Sequence, residues 1–445
     1  MAQTPPKRPR GCTDLIVSSY LDLDATDRIR EINRKHGNPL LARGAFGELT
    51  LALDVDNDGW RVAVAKTIPQ ATVSTGGPWD RIAKRMLTKE VLNEIMALRL
   101  LSPHPNIVPF LGLFLPSADP MPGGLSLAFH YCPLDLYMLL ENRETLLPIH
   151  ICKTMTKDIL NAVKHCHAHG ILHRDMKPGN LLLSSKGHVQ LGDFGLAKPS
   201  PSLLTNNGET MSSVQPGATG TKGLCTLYYR PPEILLGGSA NHPSVDMYSV
   251  GLVVAELLTG RVLFKGESVL DQLGRVFSVL GTPTATHWPE ANQLPDFGKV
   301  TFHKKAPQSL VHVIPRVTEV PCLQDWLNRL ICLDPVKRFS AERALQDKWF
   351  TALPLAASHE TVAKKLIPDK LREPTVIFSS VDVNDTTLTV ARKKALEMAA
   401  ARRSFLEPDN KLLRPTLAEA CQELQTCGDS SREVPGGIAP YSVKA

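Results

Sequence analysis

Two short polar motifs near the middle of the chain restrict its fold more than any other part of the sequence. The first, HRDMKPGN, occupies residues 173–180, and the second, DFG, occupies residues 193–195. The first contains a candidate base, Asp175, and a candidate neutral metal ligand, Asn180. Asp193 of the second is a candidate carboxylate ligand for Mg²⁺. Because apolar strand residues lie between the motifs, their order and spacing predict that both acidic side chains converge on one metal ion.

A glycine-rich segment and a lysine precede these motifs. Residues 41–47 read LARGAFG, and glycines without Cβ atoms let backbone N–H groups approach phosphates, although an ordinary hairpin turn would explain them as well. Lys66 ends the segment AVAK, where its ammonium group could hold phosphate oxygens if a carboxylate fixed its position. Glu94 on the following predicted helix is the preferred partner, with Glu90 one turn earlier as the alternative. Phosphoryl transfer needs these parts, since a triphosphate must be held, its charge neutralised and an acceptor hydroxyl aimed in line.

Residues 54–59, DVDNDG, match the first half of an EF-hand calcium loop. The twelfth position of such a loop requires a bidentate glutamate, but Ala65 occupies it here, and no flanking helices are indicated. We therefore interpret the segment as the turn of a β-hairpin within residues 41–68.

The apolar pattern divides the chain into a compact centre and two extensions. The predicted parts are an N-terminal extension (1–40), a strand-rich part (about 41–130), a helical part (about 131–352) and a C-terminal extension (353–445). Residues 21–32 form an amphipathic stretch that could be a short helix. Residues 199–221 are rich in Pro, Ser, Thr and Gly, so we expect a mobile loop. The C-terminal extension is expected to be largely flexible, apart from a basic helix near residues 387–406. A solvated face is the preferred interpretation of the basic residues 392–414, with binding to an acidic partner, a nucleic acid or the chain's own core as alternatives.

The composition excludes several classes of protein. The 50 Lys+Arg against 44 Asp+Glu residues give a formal charge of +6, too small a surplus to indicate a nucleic-acid partner. The nine cysteines include no C-x-x-C pair, which argues against a disulfide framework or a zinc motif and favours a reducing compartment. Because there is neither an apolar run of about 18 residues nor a secretory signal, we expect no membrane partner and a location in the nucleus, the cytoplasm or both.

Because it contains these motifs in this order, the sequence from about Leu41 to Phe350 resembles the eukaryotic protein kinases. Further motifs follow in order: PPE at 231–233 stands where the family has A-P-E, and DMYSVG at 246–251 resembles D-x-W-S-x-G. Arg338 matches the late arginine that the family pairs with the glutamate of A-P-E, here Glu233. The resemblance implies an α+β fold of two lobes, a small β-rich N-lobe and a larger helical C-lobe.

Within the family, three segments resemble cyclin-dependent kinases: CTLYYRPPEILLGG (225–238), GTPTATHWPE (281–290) and LPDFGKVTF (294–302). The chain is most similar to the branch of cell-cycle-related kinase and fungal CDK-activating kinase. The resemblance implies an ATP-dependent serine/threonine kinase that phosphorylates Ser/Thr-Pro sites in cell-cycle or kinase-activating signalling. A cyclin or another activator is an implied partner. However, the predicted helix that contains Glu94 begins KEVLNE, which lacks the recognisable cyclin-contact sequence and has Asn93 where an arginine would help to bind a phosphothreonine.

The resemblance also implies roles for individual residues. Asp175 would orient and deprotonate the acceptor hydroxyl, and Lys177 would neutralise the transferring phosphoryl group. Lys66 and Glu94 would form a switchable ion pair. The residues that would hold Mg²⁺ are Asn180 and Asp193, and those that would bind ATP are Leu41, Ala42, Arg43, Gly44, Ala45, Phe46, Gly47, Leu49, Val64, Lys66, Phe129, His130, Cys132, Asp135 and Leu182.

Regulation and substrate choice are implied in the same way. Arg174 directly precedes the base, an arrangement that in the family couples catalysis to a phosphate on the activation segment. Thr221 is the matching phosphate site, with Thr219 as the alternative, and its phosphate would pair with Arg174 and Lys198. For the substrate, Lys177 and Thr226 resemble the serine/threonine-specific pattern of the family. Arg230 resembles the pocket that binds a proline just after the target residue.

Some positions depart from the family pattern. Ala42 replaces the first glycine of the phosphate loop. Ala45 and Phe46 stand where many cell-cycle kinases have an inhibitory Thr-Tyr pair, so inhibition through that pair is expected to be absent. The competing class is a pseudokinase or scaffold, which binds partners without catalysis. The loss of a catalytic residue is the usual sign of that class, and no such loss is seen at Lys66, Asp175, Asn180 or Asp193.

Overall fold

The structure is a computed structural model. It describes residues 23–32, 39–44, 47–56, 59–68, 89–115, 125–200, 226–372, 376–378, 385–406 and 442–443. These residues form two compact units. The first unit takes its residues from 1–103, 109–131 and 374–400, and the second from 104–108, 132–373 and 401–445. Within the described ranges, every helix is too short or too polar to cross a lipid bilayer.

The first unit is built on an antiparallel sheet. Its strands, in chain order, are β1 (Ile29–Glu31), β2 (Leu40–Gly44), β3 (Gly47–Asp56), β4 (Gly59–Thr67), β5 (Phe110–Phe114) and β6 (Ser126–His130), and helix α1 spans Lys89–Leu101. The spatial order is β1-β3-β4-β6-β5, with β2 paired to β3. β3 and β4 form the predicted hairpin, whose register pairs Asp56 with Gly59. Asp54 lies within β3 and bonds Arg28 at 2.8 Å, so the described residues of the EF-hand match belong to the strands of a hairpin.

The stretch at 21–32 differs from the prediction of a short helix. Its described residues make a turn followed by β1, which pairs with β3 through Ile29 and Asp54. Ala25 and Ile29 are buried against the sheet, and Asp24 accepts the backbone N–H of Leu113 at 3.0 Å. Tertiary pairing with the edge of β3 therefore overrides the local helical pattern.

The second unit is mainly helical. Its elements are β7 (Leu134–Asp135), α2 (Leu136–Glu141), α3 (Ile149–Ala168), β8 (Ile171–Leu172), β9 (Leu181–Leu183), β10 (Val189–Leu191), β11 (Lys198–Pro199), α4 (Pro232–Leu235), α5 (Ser244–Thr259), α6 (Val269–Leu280), β12 (Val300–Thr301), α7 (Leu323–Asn328), α8 (Ala341–Leu345), α9 (His359–Leu366) and α10 (Asp369–Arg372). The small sheet β10-β9-β7 and the pair β11-β8 position the two motifs of the candidate site. Its longest helix, α3, is buried along most of its length.

A buried ion pair joins two distant parts of the second unit. The guanidinium group of Arg338 donates to the two carboxylate oxygens of Glu233 at 2.6 and 2.8 Å. Its other N–H groups donate to the carbonyls of Cys332, Ser244 and Leu333. All five guanidinium N–H donors therefore have acceptors. This is the pairing that the family resemblance implied.

The described residues of the C-terminal extension form helices and short strands besides the predicted basic helix. After α9 and α10, strand β13 (Val376–Phe378) pairs with Trp60 and Arg61 of β4, and helix α11 spans Asp385–Leu406. Ala391, Ala395 and Met398 of α11 are buried in one cluster with Trp60 and other apolar residues of the first unit. The apolar face of this basic helix is thus a packing face, whereas Lys393 on the helix is exposed. The described chain ends with β14 (Ser442–Val443), which pairs with β12.

Tyr229 and Glu256 make a buried contact that affects how the stability of the fold depends on pH. The hydroxyl of Tyr229 donates to Oε2 of Glu256 at 2.6 Å, and burial raises the pKa of this carboxyl from 4.5 to about 7. Because the folded-state pKa lies above that of the unfolded chain, protonation stabilises the fold. This stability is complete below about pH 4.5 and is lost as the pH rises through 7.

We therefore expect Glu256→Gln to flatten the pH dependence of stability. Between pH 5.5 and 8 the wild type should lose about 1–2 kcal/mol of unfolding free energy through this group, and the variant should not. The glutamine carbonyl can still accept the Tyr229 hydroxyl bond. The measurement is urea unfolding at both pH values, with the exposed Glu267→Gln as the matched control. Parallel pH profiles for wild type and Glu256→Gln would contradict the expectation.

Candidate active site

Lys66 and Glu94 form a buried ion pair in the first unit. Lys66 lies near the end of β4, between Leu49 of β3 and Leu127 of β6 in the sheet register. Its Nζ donates to the two oxygens of Glu94, on α1, at 2.7 and 2.9 Å. Glu94 is 2% exposed, so the pair is largely removed from water. Of the two glutamates considered from the sequence, Glu94 is the one for which the structure gives a direct contact with Lys66.

The glycine-rich segment connects β2 and β3. Gly47 has φ +133°, and a Cβ atom here would lie 2.1 Å from the carbonyl oxygen of Thr67, so only glycine fits. Ala42 lies opposite Leu49 in the register, and Arg43 and Gly44 continue β2. Ala45 and Phe46, predicted to bind ATP, lie outside the described residues.

The predicted adenine-binding residues of the first unit share its sheet. Leu41, Leu49 and Val64 are half-buried on β2, β3 and β4. Val64 lies opposite Phe129 of β6, which is buried. The backbone N–H of His130 donates to the carbonyl of Pro109 at 3.0 Å, at the end of β6.

Three further predicted nucleotide-binding residues belong to the second unit. Cys132 is buried, and burial raises the pKa of its thiol to about 12, so the thiol is neutral and unreactive at neutral pH. Leu182 is half-buried on β9. Asp135 caps α2 by accepting the N–H of Met138 at 2.8 Å, a role that the sequence interpretation missed, and Arg402 lies 3.6 Å from its carboxylate. Burial raises the pKa of the Asp135 carboxyl.

The carboxylate of Asp175 is fixed by three neighbours. Oδ2 accepts from Nζ of Lys177 at 2.6 Å and from Nδ2 of Asn180 at 3.1 Å. Oδ1 accepts from the backbone N–H of Thr226 at 2.9 Å and from its hydroxyl at 3.2 Å. The short helical turn Pro178–Asn180 brings Asn180 back to Asp175, whose carbonyl it also bonds at 2.8 Å. A basic oxygen is thus held beside a cation and a hydroxyl-bearing residue.

A backbone hydrogen bond links Asn180 to the residue that precedes Asp193. The N–H of Gly192 donates to the carbonyl of Asn180 at 2.9 Å, and Asp193 follows directly, about 3.8 Å further between Cα atoms. Asp193 has φ +54°, a strained conformation for a residue with a side chain and typical of functional sites. The amide nitrogen of Asn180 is engaged with Asp175, so its oxygen is the atom that can ligate a metal. One amide and one carboxylate oxygen fit a magnesium ion.

A buried aspartate supports this loop from α5. Asp246 accepts the backbone N–H groups of Arg174 at 2.7 Å and His173 at 3.0 Å, and Nε2 of His167 lies 2.9 Å away. Burial alone would raise the pKa of Asp246, but its bond to His167 and the neighbouring charges hold it below the usual value. Arg174 has φ +66°, so these bonds hold a strained backbone. The sequence interpretation used Asp246 only as part of a motif, and that motif was the available signal.

The predicted regulatory and substrate residues are only partly described. Nε of Arg174 donates to the carbonyl of Leu196 at 2.9 Å, and Nζ of Lys198 donates to Asn241 at 2.7 Å. Thr221 lies outside the described residues, as does most of the predicted loop 199–221. The first residue of that loop, Pro199, is described and lies in β11. The segment with Thr226 and Arg230 surrounds a short helical turn, Leu227–Tyr229.

Comparison with known proteins identifies the family of this chain. The protein kinase domain model matches residues 37–350. The chain is 35% identical over 273 residues to Cyclin-dependent kinase 20 of Danio rerio, covering 61% of this chain and 74% of that protein. It is 33% identical over 285 residues to Cyclin-dependent kinase 20 of Homo sapiens, covering 64% and 76% respectively. The predicted two-lobed kinase fold is confirmed, and the chain belongs to the cyclin-dependent kinase family of eukaryotic protein kinases.

Proposed function

We propose that this kinase transfers the terminal phosphoryl group of Mg·ATP to serine or threonine followed by proline. The observation that carries the proposal is the environment of Asp175, whose carboxylate is bonded at once by Lys177 and Thr226. A carboxylate held in this way can accept the proton of an incoming hydroxyl while the neighbouring ammonium offsets charge on the phosphoryl group.

The remaining polar residues would hold the reactants. Bound ATP and Mg²⁺ supply the phosphoryl group and neutralise its charge. Lys66, kept in place by Glu94, would contact phosphate oxygens, and its partial burial strengthens that attraction relative to water. The oxygens of Asn180 and Asp193 would bind the metal ion. Asp246 has no contact with the reactants in this scheme and would act by positioning Arg174 and the base beside it.

Substrate selection is proposed for the segment from Thr226 to Arg230. Its backbone is fastened from α5, where Ser249 donates to the carbonyl of Tyr229 at 2.8 Å, and from α6, where Gln272 donates to that of Tyr228 at 3.2 Å. A segment fixed in this way can discriminate between substrate side chains, since little of its conformation has to be ordered on binding. This rigidity supports selection of one kind of residue after the target, and the resemblance of Arg230 to the proline pocket of the family supports proline as that residue.

The proposal predicts the outcome of peptide profiling. Purified full chain with Mg·ATP should phosphorylate Ser-Pro and Thr-Pro peptides, and replacing the proline by alanine should lower kcat/KM about tenfold or more. Asp193→Asn should abolish the magnesium-dependent transfer because it removes a carboxylate ligand. The same assay with and without candidate cyclins tests the need for an activator.

Two results would contradict the proposal in different ways. Transfer without a preference for proline, or to tyrosine, would reject the proposed substrate class. A folded chain that binds partners but transfers no phosphate, with and without activators, would favour the pseudokinase alternative. The intact pair of Lys66 and Glu94 and the fixed carboxylate of Asp175 favour catalysis.

A further inference from the structure

Three metal-ligating side chains meet in the second unit outside the candidate active site. Asp158 lies on α3, His188 lies just before β10, and His359 is the first residue of α9. One ligand atom of each residue lies within 4.8 Å of the ligand atoms of the other two. The proposed phosphoryl transfer uses none of these residues, so the cluster needs a separate explanation.

The carboxylate of Asp158 is the buried centre of the cluster. Asp158 is 4% exposed, and its Oδ2 accepts the backbone N–H of Val189 at 2.8 Å. Nε2 of His359 lies 3.1 and 3.2 Å from the two carboxylate oxygens. These distances are close to the separation of about 3.4 Å between two ligand atoms of a tetrahedral metal ion. The carboxylate has enough lone pairs to keep the Val189 bond and also ligate an ion.

The two histidines lie against each other. Their ring centroids are 3.7 Å apart and the rings are inclined by 22°. Both residues are only partly buried, which leaves a path for an ion from solvent. Small side-chain rotations can turn one nitrogen of each ring toward the carboxylate, because the terminal torsion of histidine has a broad energy well.

The backbone already holds the three ligands together. Gly187 has φ +85°, and a Cβ atom there would lie 2.0 Å from the carbonyl oxygen of His359, so the turn before β10 is tightly apposed to α9. On the other side, the hydroxyl of Thr154 on α3 donates to the carbonyl of Ala357 at 2.9 Å. Ligand residues whose backbone is fixed before binding cost less ordering entropy when an ion arrives, because only their side chains have to adjust.

We propose that Asp158, His188 and His359 bind one divalent transition-metal ion, with zinc as the ion of choice. Two imidazole nitrogens and one carboxylate oxygen suit zinc, and water completes four-coordination. The ion fastens α9, which follows the residues matched by the kinase domain model, to α3 and to the turn before β10. The inference does not rest on the proposed kinase activity, since an inactive chain would bind the ion equally well.

The test is metal binding to untagged full chain that has been stripped with EDTA. In competition with a chromophoric chelator, the wild type should bind one equivalent of Zn²⁺ with a Kd on the order of micromolar or tighter. His188→Ala and His359→Ala should each weaken this binding at least about 100-fold, because each removes a ligand. The exposed His303→Ala is the matched control and should bind as the wild type does.

Two further readouts separate a metal site from a purely structural contact. Zinc should raise the Tm of the wild type and of His303→Ala but not that of His188→Ala, whatever the Tm of each protein in EDTA. Co²⁺ should give visible absorption bands without the thiolate charge-transfer band that a cysteine ligand would produce. The proposal is overturned if His188→Ala and His359→Ala keep wild-type zinc affinity, or if the zinc-dependent rise in Tm persists in both.

Discussion

Replacing Asp175 with asparagine should remove nearly all phosphoryl transfer while leaving the fold intact. The amide keeps the size of the carboxylate, but it cannot accept the proton of an incoming hydroxyl. Its NH₂ group must also face one of the donors that now bond the carboxylate, from Lys177 or Thr226. A positioned general base contributes about 10²–10⁴-fold to rate, so we expect kcat to fall by about 10³-fold.

The measurement is kcat on a Ser-Pro peptide together with ATP affinity and Tm. ATP affinity should change little, because the proposed phosphate and metal contacts belong to other residues. Asp296→Asn is a matched control, since its exposed carboxylate pairs only with Lys299 in the surface contact that the structure describes. Turnover of Asp175→Asn within a few-fold of wild type would show that another group accepts the proton.

Of the single substitutions proposed for this protein, Arg338→Met should cause the largest loss in the free energy of unfolding. The change removes five hydrogen-bond donors and leaves the Glu233 carboxylate buried without its cation. Breaking a buried ion pair on one side costs about 3–5 kcal/mol, because the remaining charge has neither water nor partner. For a kinase domain of marginal stability, such a loss is a large share of the total. Urea unfolding of wild type and variant measures the difference.

Two further variants test whether the buried charge is the cause. Arg329→Met removes an exposed arginine of the same region and should change the free energy of unfolding by less than about 0.5 kcal/mol. Adding Glu233→Leu to Arg338→Met should recover part of the loss, since an apolar pair leaves no unpaired charge. If the double variant is as unstable as the sum of its single changes, lost packing and not the unpaired carboxylate explains the effect.

The parts of the site that follow from local sequence were predictable. Asp175, Asn180 and Asp193 lie on a tight loop and on the turn after a short strand, so their spacing along the chain controls their proximity in the fold. The partner of Lys66 was not fixed in this way, because Glu90 and Glu94 are one turn apart on the same helix. The position of α1 against β4 decides which glutamate reaches the lysine, and that is a tertiary contact.

The helix of the C-terminal extension was predicted from its sequence, but the surface against which it packs could not be, for a physical reason. The buried residues of α11 are mostly alanines, which carry little apolar signal beside the lysines and arginines of the same helix. What makes them a packing face is the apolar surface offered by residues such as Trp60 and Val62, more than 300 positions earlier in the chain. No pattern within the extension itself reports that surface.

The docking of β13 and α11 means that the boundary of the kinase homology is not the boundary of cooperative folding. The homologous region ends at Phe350, whereas the sheet of the first unit is completed by residues beyond it. A protein truncated at Phe350 would leave Trp60 partly uncovered and Arg61 with a neighbouring strand on one side only. Such an exposed apolar edge promotes self-association, so truncation should yield aggregates where the longer chain yields monodisperse protein.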